Sequence, residues 1–80
     1  MDIKEIFAVN LRRLRGERGL SQEELASRAK IDRTYVSALE RSEYSATITM
    51  VSKLSTVLGV TPSSMLERGP KAAKPAKKKA

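Results

Sequence analysis

Apolar residues at Ile3, Ile6, Phe7, Leu11 and Leu14 recur at the three-and-four spacing of a single helical stripe, with Lys4, Arg12, Arg13 and Glu17 mostly off it. That pattern predicts a first helix from Asp2 to Arg18. Gly19 then offers a left-handed helix end, and Leu20 returns toward the core. Ser21 followed by Glu24 is a capping-box pattern, in which each side chain can satisfy the other residue's free backbone N–H. A second, short helix is therefore expected from Gln22 to about Ala29, with Leu25, Ala26 and Ala29 on its inner face. Ile31 and Asp32 follow as a buried anchor and an N-cap, and a third helix begins at Arg33. Val36 and Leu39 can pack inward from it, leaving Arg33, Thr34, Ser37, Ala38 and Arg41 on other faces.

Ser42 to Ala46 reads as a loop and Thr47 as the N-cap of a fourth helix, whose stripe is Ile48, Val51, Leu54, Val57 and Leu58 and whose end is Gly59. Val60 re-enters the core. Thr61 before Pro62 supplies a cap with proline at the first helical position, so a short fifth helix is expected from Ser63 to about Glu67, carrying Met65 and Leu66. Strand alternation and internal repeats are both lacking. The expected architecture is all-α, a compact five-helix domain over residues 1–69. Residues 70–80 hold only Pro, Lys and Ala, have no aliphatic or aromatic anchor larger than alanine, and are expected to be disordered.

Charge changes this picture less than its sum suggests. The net charge is +7, but five lysines (Lys71, Lys74, Lys77, Lys78, Lys79) fall in the last ten residues, and the rest of the chain carries only +2. Any argument for a nucleic-acid partner must rest on where the charges sit. The lysine-rich segment is open to two readings, a non-specific DNA clamp or a solubilising end. The sequence has no cysteine and no histidine, which removes disulfides, thiolate nucleophiles, imidazole bases and nearly every transition-metal site. No cofactor or metal is expected, nor is an enzyme, since the remaining serines, carboxylates and lysines form no base–nucleophile arrangement. The chain has neither a secretory-signal pattern nor an apolar run of membrane-spanning length, so a cytoplasmic, nucleoid-associated protein with no membrane partner is expected.

The two short central helices have what is needed to place one of them in a DNA major groove. Ala26 lets them approach, Ile31 plugs the turn, and Val36 with Leu39 holds the third helix against the second while its polar face stays outward.

Residues 5–67, in particular SQEELA, RTYVS, LER and LGV, resemble the phage repressor and Cro type of helix-turn-helix regulator, the Xre family with its lambda-repressor-like domain. Small size and RTYVS bring the controller proteins of restriction-modification systems nearest. The resemblance implies a sequence-specific transcriptional regulator, repressor and/or activator and able to act on its own promoter. It assigns base contacts to Arg33, Thr34, Ser37 and Ala38, where arginine can chelate guanine O6 and N7, and Thr34 or Ala38 can meet a thymine methyl. It puts Gln22 on a phosphate at a helix N-terminus, and Arg41, Ser42, Tyr44 and Thr49 along the backbone of the same half-site, with Thr47 divided between that role and capping. Arg15 and Glu40 match a structural ion pair joining the first and third helices. Relatives often carry glycine at the position of Lys30, where a left-handed residue is expected. Tyr35, one of three aromatics, can pack at the domain edge with its hydroxyl on a phosphate, or simply pack.

One recognition helix reads only a few base pairs, so a homodimer on palindromic double-stranded operator DNA is expected, with Val57, Val60, Met65 and Leu66 at the seam. RNA polymerase or an anti-activator protein is a further partner the reading admits, and no small-molecule effector is expected. The competing reading is a protein-interaction module built on the same fold, such as an antitoxin or the partner of an anti-activator.

Overall fold

The computed structural model describes residues 2–68, which form four α-helices and one 3-10 helix: α1 (Ile3–Glu17), α2 (Gln22–Ala29), α3 (Arg33–Glu40), α4 (Ile48–Leu58) and a 3-10 segment, Pro62–Leu66. The expected fifth α-helix is thus a single 3-10 stretch. The Lys/Ala/Pro segment and the proposed boundary at residue 69 lie outside the described residues.

Each helix begins at a side-chain cap. Asp2 accepts from the Glu5 N–H and Ser21 from the Glu24 N–H, both completing reciprocal capping boxes, while Asp32, Thr47 and Thr61 cap α3, α4 and the 3-10 helix. The α-helices also end alike. After α1, α2, α3 and α4 the chain passes through a residue with positive φ, respectively Gly19 (68°), Lys30 (59°), Ser42 (61°) and Gly59 (73°). The following N–H then returns five residues back: Leu20 to Arg15, Ile31 to Ala26, Glu43 to Ala38 and Val60 to Ser55. These are Schellman turns, which satisfy carbonyls that the helix itself leaves open.

Phe7, Leu11 and Leu14 of α1, Leu25, Ala26 and Ala29 of α2, Val36 and Leu39 of α3, Val51, Leu54 and Leu58 of α4, and Met65 form one core. Leu20, Ile31, Val57 and Val60 pack half-buried against it. Two stripe positions do not reach it: Ile3 is 57% exposed and Ile48 90%. Both are the first residue of their helix, and Ile3 lines an open groove with Phe7, Val51 and Leu66 rather than entering the core. The 3-10 segment is tied to α1 by Asn10, itself buried, whose amide nitrogen donates to the Met65 carbonyl at 2.8 Å and the Glu67 carbonyl at 2.7 Å. Arg18 Nε likewise donates to the Leu58 carbonyl at the end of α4 at 2.8 Å. Among the described residues no helix is long and apolar enough to cross a membrane.

Candidate nucleic-acid interface

α2 and α3 are joined by a turn of three residues, Lys30 to Asp32, in which Lys30 adopts the left-handed conformation (φ 59°, ψ 45°). For a residue with a Cβ this costs about 1 kcal/mol or more relative to glycine. The turn delivers Asp32, whose carboxylate caps α3 by accepting from the Thr34 N–H at 2.9 Å. That backbone hydrogen bond, helped by the Thr34 side chain and the neighbouring charge of Arg33, holds the Asp32 carboxyl below its ordinary range despite a small opposing effect of desolvation. The same carboxylate offsets the unfavourable placement of the Arg33 cation at a helix N-terminus.

Arg33 and Thr34 are exposed on α3 and Ser37 is half-exposed. Among the described residues Arg33 has no side-chain hydrogen bond or ion pair, so its full donor fork is open to a ligand. Ala38 is a correction. Its phase points outward, but the residue is only 4% exposed: a methyl is short, and the turn after α3 brings the Glu43 N–H back to the Ala38 carbonyl. It therefore presents no free methyl to a groove.

Behind this face lies a buried polar network. Arg15 Nε and Nη2 reach Glu40 Oε2 at 2.6 Å and Oε1 at 3.1 Å, side-on and bidentate. The Glu40 side chain is 3% exposed and that of Arg15 19%. Hydrogen bonding to Glu40 raises the Arg15 pKa above its ordinary value, overcoming the burial that opposes it. Arg15 Nη1 also donates to the Leu20 carbonyl at 2.9 Å, and the half-buried Gln22 donates its amide to Glu40 Oε1 at 3.0 Å. The start of α2 and the end of α3 are thus pinned to α1 through one carboxylate.

At the far end of α3, Arg41 is engaged by its own chain. Nε and Nη2 each donate to the Glu43 carboxylate at 2.9 Å, and Nη1 donates to the Ser37 hydroxyl. The pairing raises the Arg41 pKa and lowers that of Glu43. Sequence reasoning passed over Glu43; an acidic residue two positions after the arginine, across a helix end, was the available signal. Ser42 is half-exposed and Tyr44 exposed, its ring 6.1 Å from that of Tyr35 across the loop. Thr49 is exposed, whereas Thr47 spends its hydroxyl on the Met50 N–H.

Of the four seam residues, Met65 is wholly buried and belongs to the core, because the 3-10 helix folds it beneath α1 and α4. Leu66 is 40% exposed, and Val57 and Val60 are half-buried.

The helix-turn-helix family model matches residues 11–65. A hypothetical transcription factor of Neisseria meningitidis is 42% identical over 59 residues, covering 74% of this chain and 56% of the relative, so the chain spans little more than half of that protein. The crystal structure of a Neisseria hypothetical transcription factor superposes with a TM-score of 0.86 at 37% identity, over 91% of this chain and 84% of the other. Control protein C.SmaI of Serratia marcescens is 40% identical over 68 residues, 85% of this chain and 81% of its own. The restriction-modification controller C.Esp1396I, crystallised as a tetramer with its natural 35 base-pair operator, matches with a TM-score of 0.74 and 28% identity, over 81% of this chain and 86% of the controller.

Proposed function

This chain belongs to the Xre-type helix-turn-helix family (HTH_3), with restriction-modification control proteins among its relatives, and from that premise we propose that it is a cytoplasmic regulator of transcription that binds a palindromic operator in double-stranded DNA as a homodimer. The observation that carries the reading is the state of α3: capped by Asp32, pinned through Glu40 to α1 and α2, and open on the face of Arg33 and Thr34, with the half-exposed Ser37 hydroxyl beside them holding Arg41. A rigid helix with free polar groups on one side suits direct readout of base edges.

Arg33 then takes a guanine and Thr34 and Ser37 meet adjacent base edges, while Gln22, Tyr35, Ser42, Tyr44 and Thr49 flank them toward the phosphates. Gln22 keeps its second amide hydrogen for that purpose. Val57, Val60 and Leu66 form the seam that pairs two recognition helices. Bound at a promoter, such a dimer meets RNA polymerase directly, so its operator position decides between activation and repression.

The test is a footprint of the purified chain on the DNA upstream of its own gene, repeated with Arg33→Ala and at two salt concentrations. The expected result is protection of a near-palindrome that Arg33→Ala abolishes. Uniform, salt-sensitive coating that is indifferent to the substitution would remove sequence-specific regulation from consideration.

A further inference from the structure

We infer that Arg41 reads a guanine from the major groove, aimed by Glu43 and Ser37, rather than resting on the DNA backbone; the inference rests on the DNA-binding reading above. Arg33, Ser37 and Arg41 are spaced by four and form one ridge along α3 into its C-cap. Helical side chains lean toward the N-terminus, and Arg41 follows this, its guanidinium turning back onto the Ser37 hydroxyl and so onto the exposed face.

A guanidinium carries five N–H donors in a planar fork. Glu43 takes the side edge, one hydrogen each from Nε and Nη2, and Ser37 takes one from Nη1. One N–H remains on each terminal nitrogen, as many donors as guanine O6 and N7 accept. The carboxylate also decides against a phosphate. Glu43 neutralises the guanidinium and would repel a second anion brought to it, whereas a guanine edge offers two lone pairs without net charge. The cap geometry supports the aim: the Glu43 N–H is fixed 2.9 Å from the Ala38 carbonyl, so the carboxylate is carried by a closed turn rather than a loose loop.

The experiment selects binding sites from a randomised duplex pool with the full chain, wild type and as Arg41→Ala, Arg41→Lys and Glu43→Gln, and then measures affinity on the wild-type site across a salt series. Arg41 and Glu43 are more than half exposed, so these variants are expected to fold, with circular dichroism as the check. Wild type should enrich a guanine at one position where Arg41→Ala loses its preference, with the other positions kept and affinity for the site lowered about 5- to 150-fold. Arg41→Lys should lose the same preference while keeping the salt dependence, since charge remains but the fork does not. Glu43→Gln should blur that position alone.

Four results overturn the inference. Equal weakening of all sequences by Arg41→Ala, with the salt slope reduced by about one, marks a phosphate contact. Tighter binding of Glu43→Gln to every duplex, with a steeper slope, makes Glu43 only a competitor of phosphate. A wild-type chain that enriches no motif overturns the regulator reading and this one together, whereas a motif indifferent to Arg41→Ala overturns this one alone.

Discussion

A carboxylate buried as deeply as that of Glu40 costs several kcal/mol to remove from water unless its oxygens are matched, and here both are: Arg15 approaches side-on, and Gln22 adds a third donor. Glu40→Ala leaves the Arg15 guanidinium facing an emptied site and Gln22 unpaired. It is expected to destabilise the chain by about 3 kcal/mol in urea unfolding, the lower end of the range for breaking a buried pair because Arg15 keeps some water. A loss under about 1 kcal/mol would mean that the pair behaves as a surface bridge. The pair was legible in the sequence only through the family resemblance. Nothing in local pattern distinguishes Glu40 from Glu43, two residues of one type three apart, of which the first is buried and the second spans the outside of the turn.

At the scale of elements, the four Schellman turns share a geometry but not a residue. Glycine occupies the positive-φ position after α1 and α4, and lysine and serine occupy it after α2 and α3, the two helices of the helix-turn-helix. Lys30→Gly and Ser42→Gly should each stabilise the fold by about 0.5–1 kcal/mol, the left-handed strain relieved less the entropy that glycine adds to the unfolded chain. Thermal unfolding should show the melting temperature rising by a few degrees for each, nearly additively, since the turns share no partner. An unchanged or lower melting temperature would show that the side chains make compensating contacts. The helix boundaries were readable because their signals are local: a capping hydroxyl or carboxylate at one end and a turn at the other. The last element was not, since Thr61-Pro62 starts an α-helix and a 3-10 helix equally well.

At the scale of the whole molecule, the surface near the 3-10 segment bears on assembly. Leu66 is exposed while its neighbour Met65 is core, so Leu66→Glu should change association without changing the fold. Sedimentation equilibrium is expected to show dimers for the wild type and monomers for Leu66→Glu at equal helical content. Persistence of the dimer in the variant would move the seam away from Leu66.

Local pattern was enough for the all-helical class, the limits of the four α-helices and the identity of the family, because caps, stripes and turn residues act over a few positions and are written in order along the chain. Tertiary structure decided what depends on residues far apart. Whether Ile48 faces the core or water turns on which elements pack against the start of its helix, and whether Met65 is interface or interior on where the 3-10 segment folds. Asn10, unremarkable on a helix, is buried where its amide donates to two carbonyls more than fifty residues later. Stripe and cap are properties of a segment; burial and pairing are properties of the packed whole.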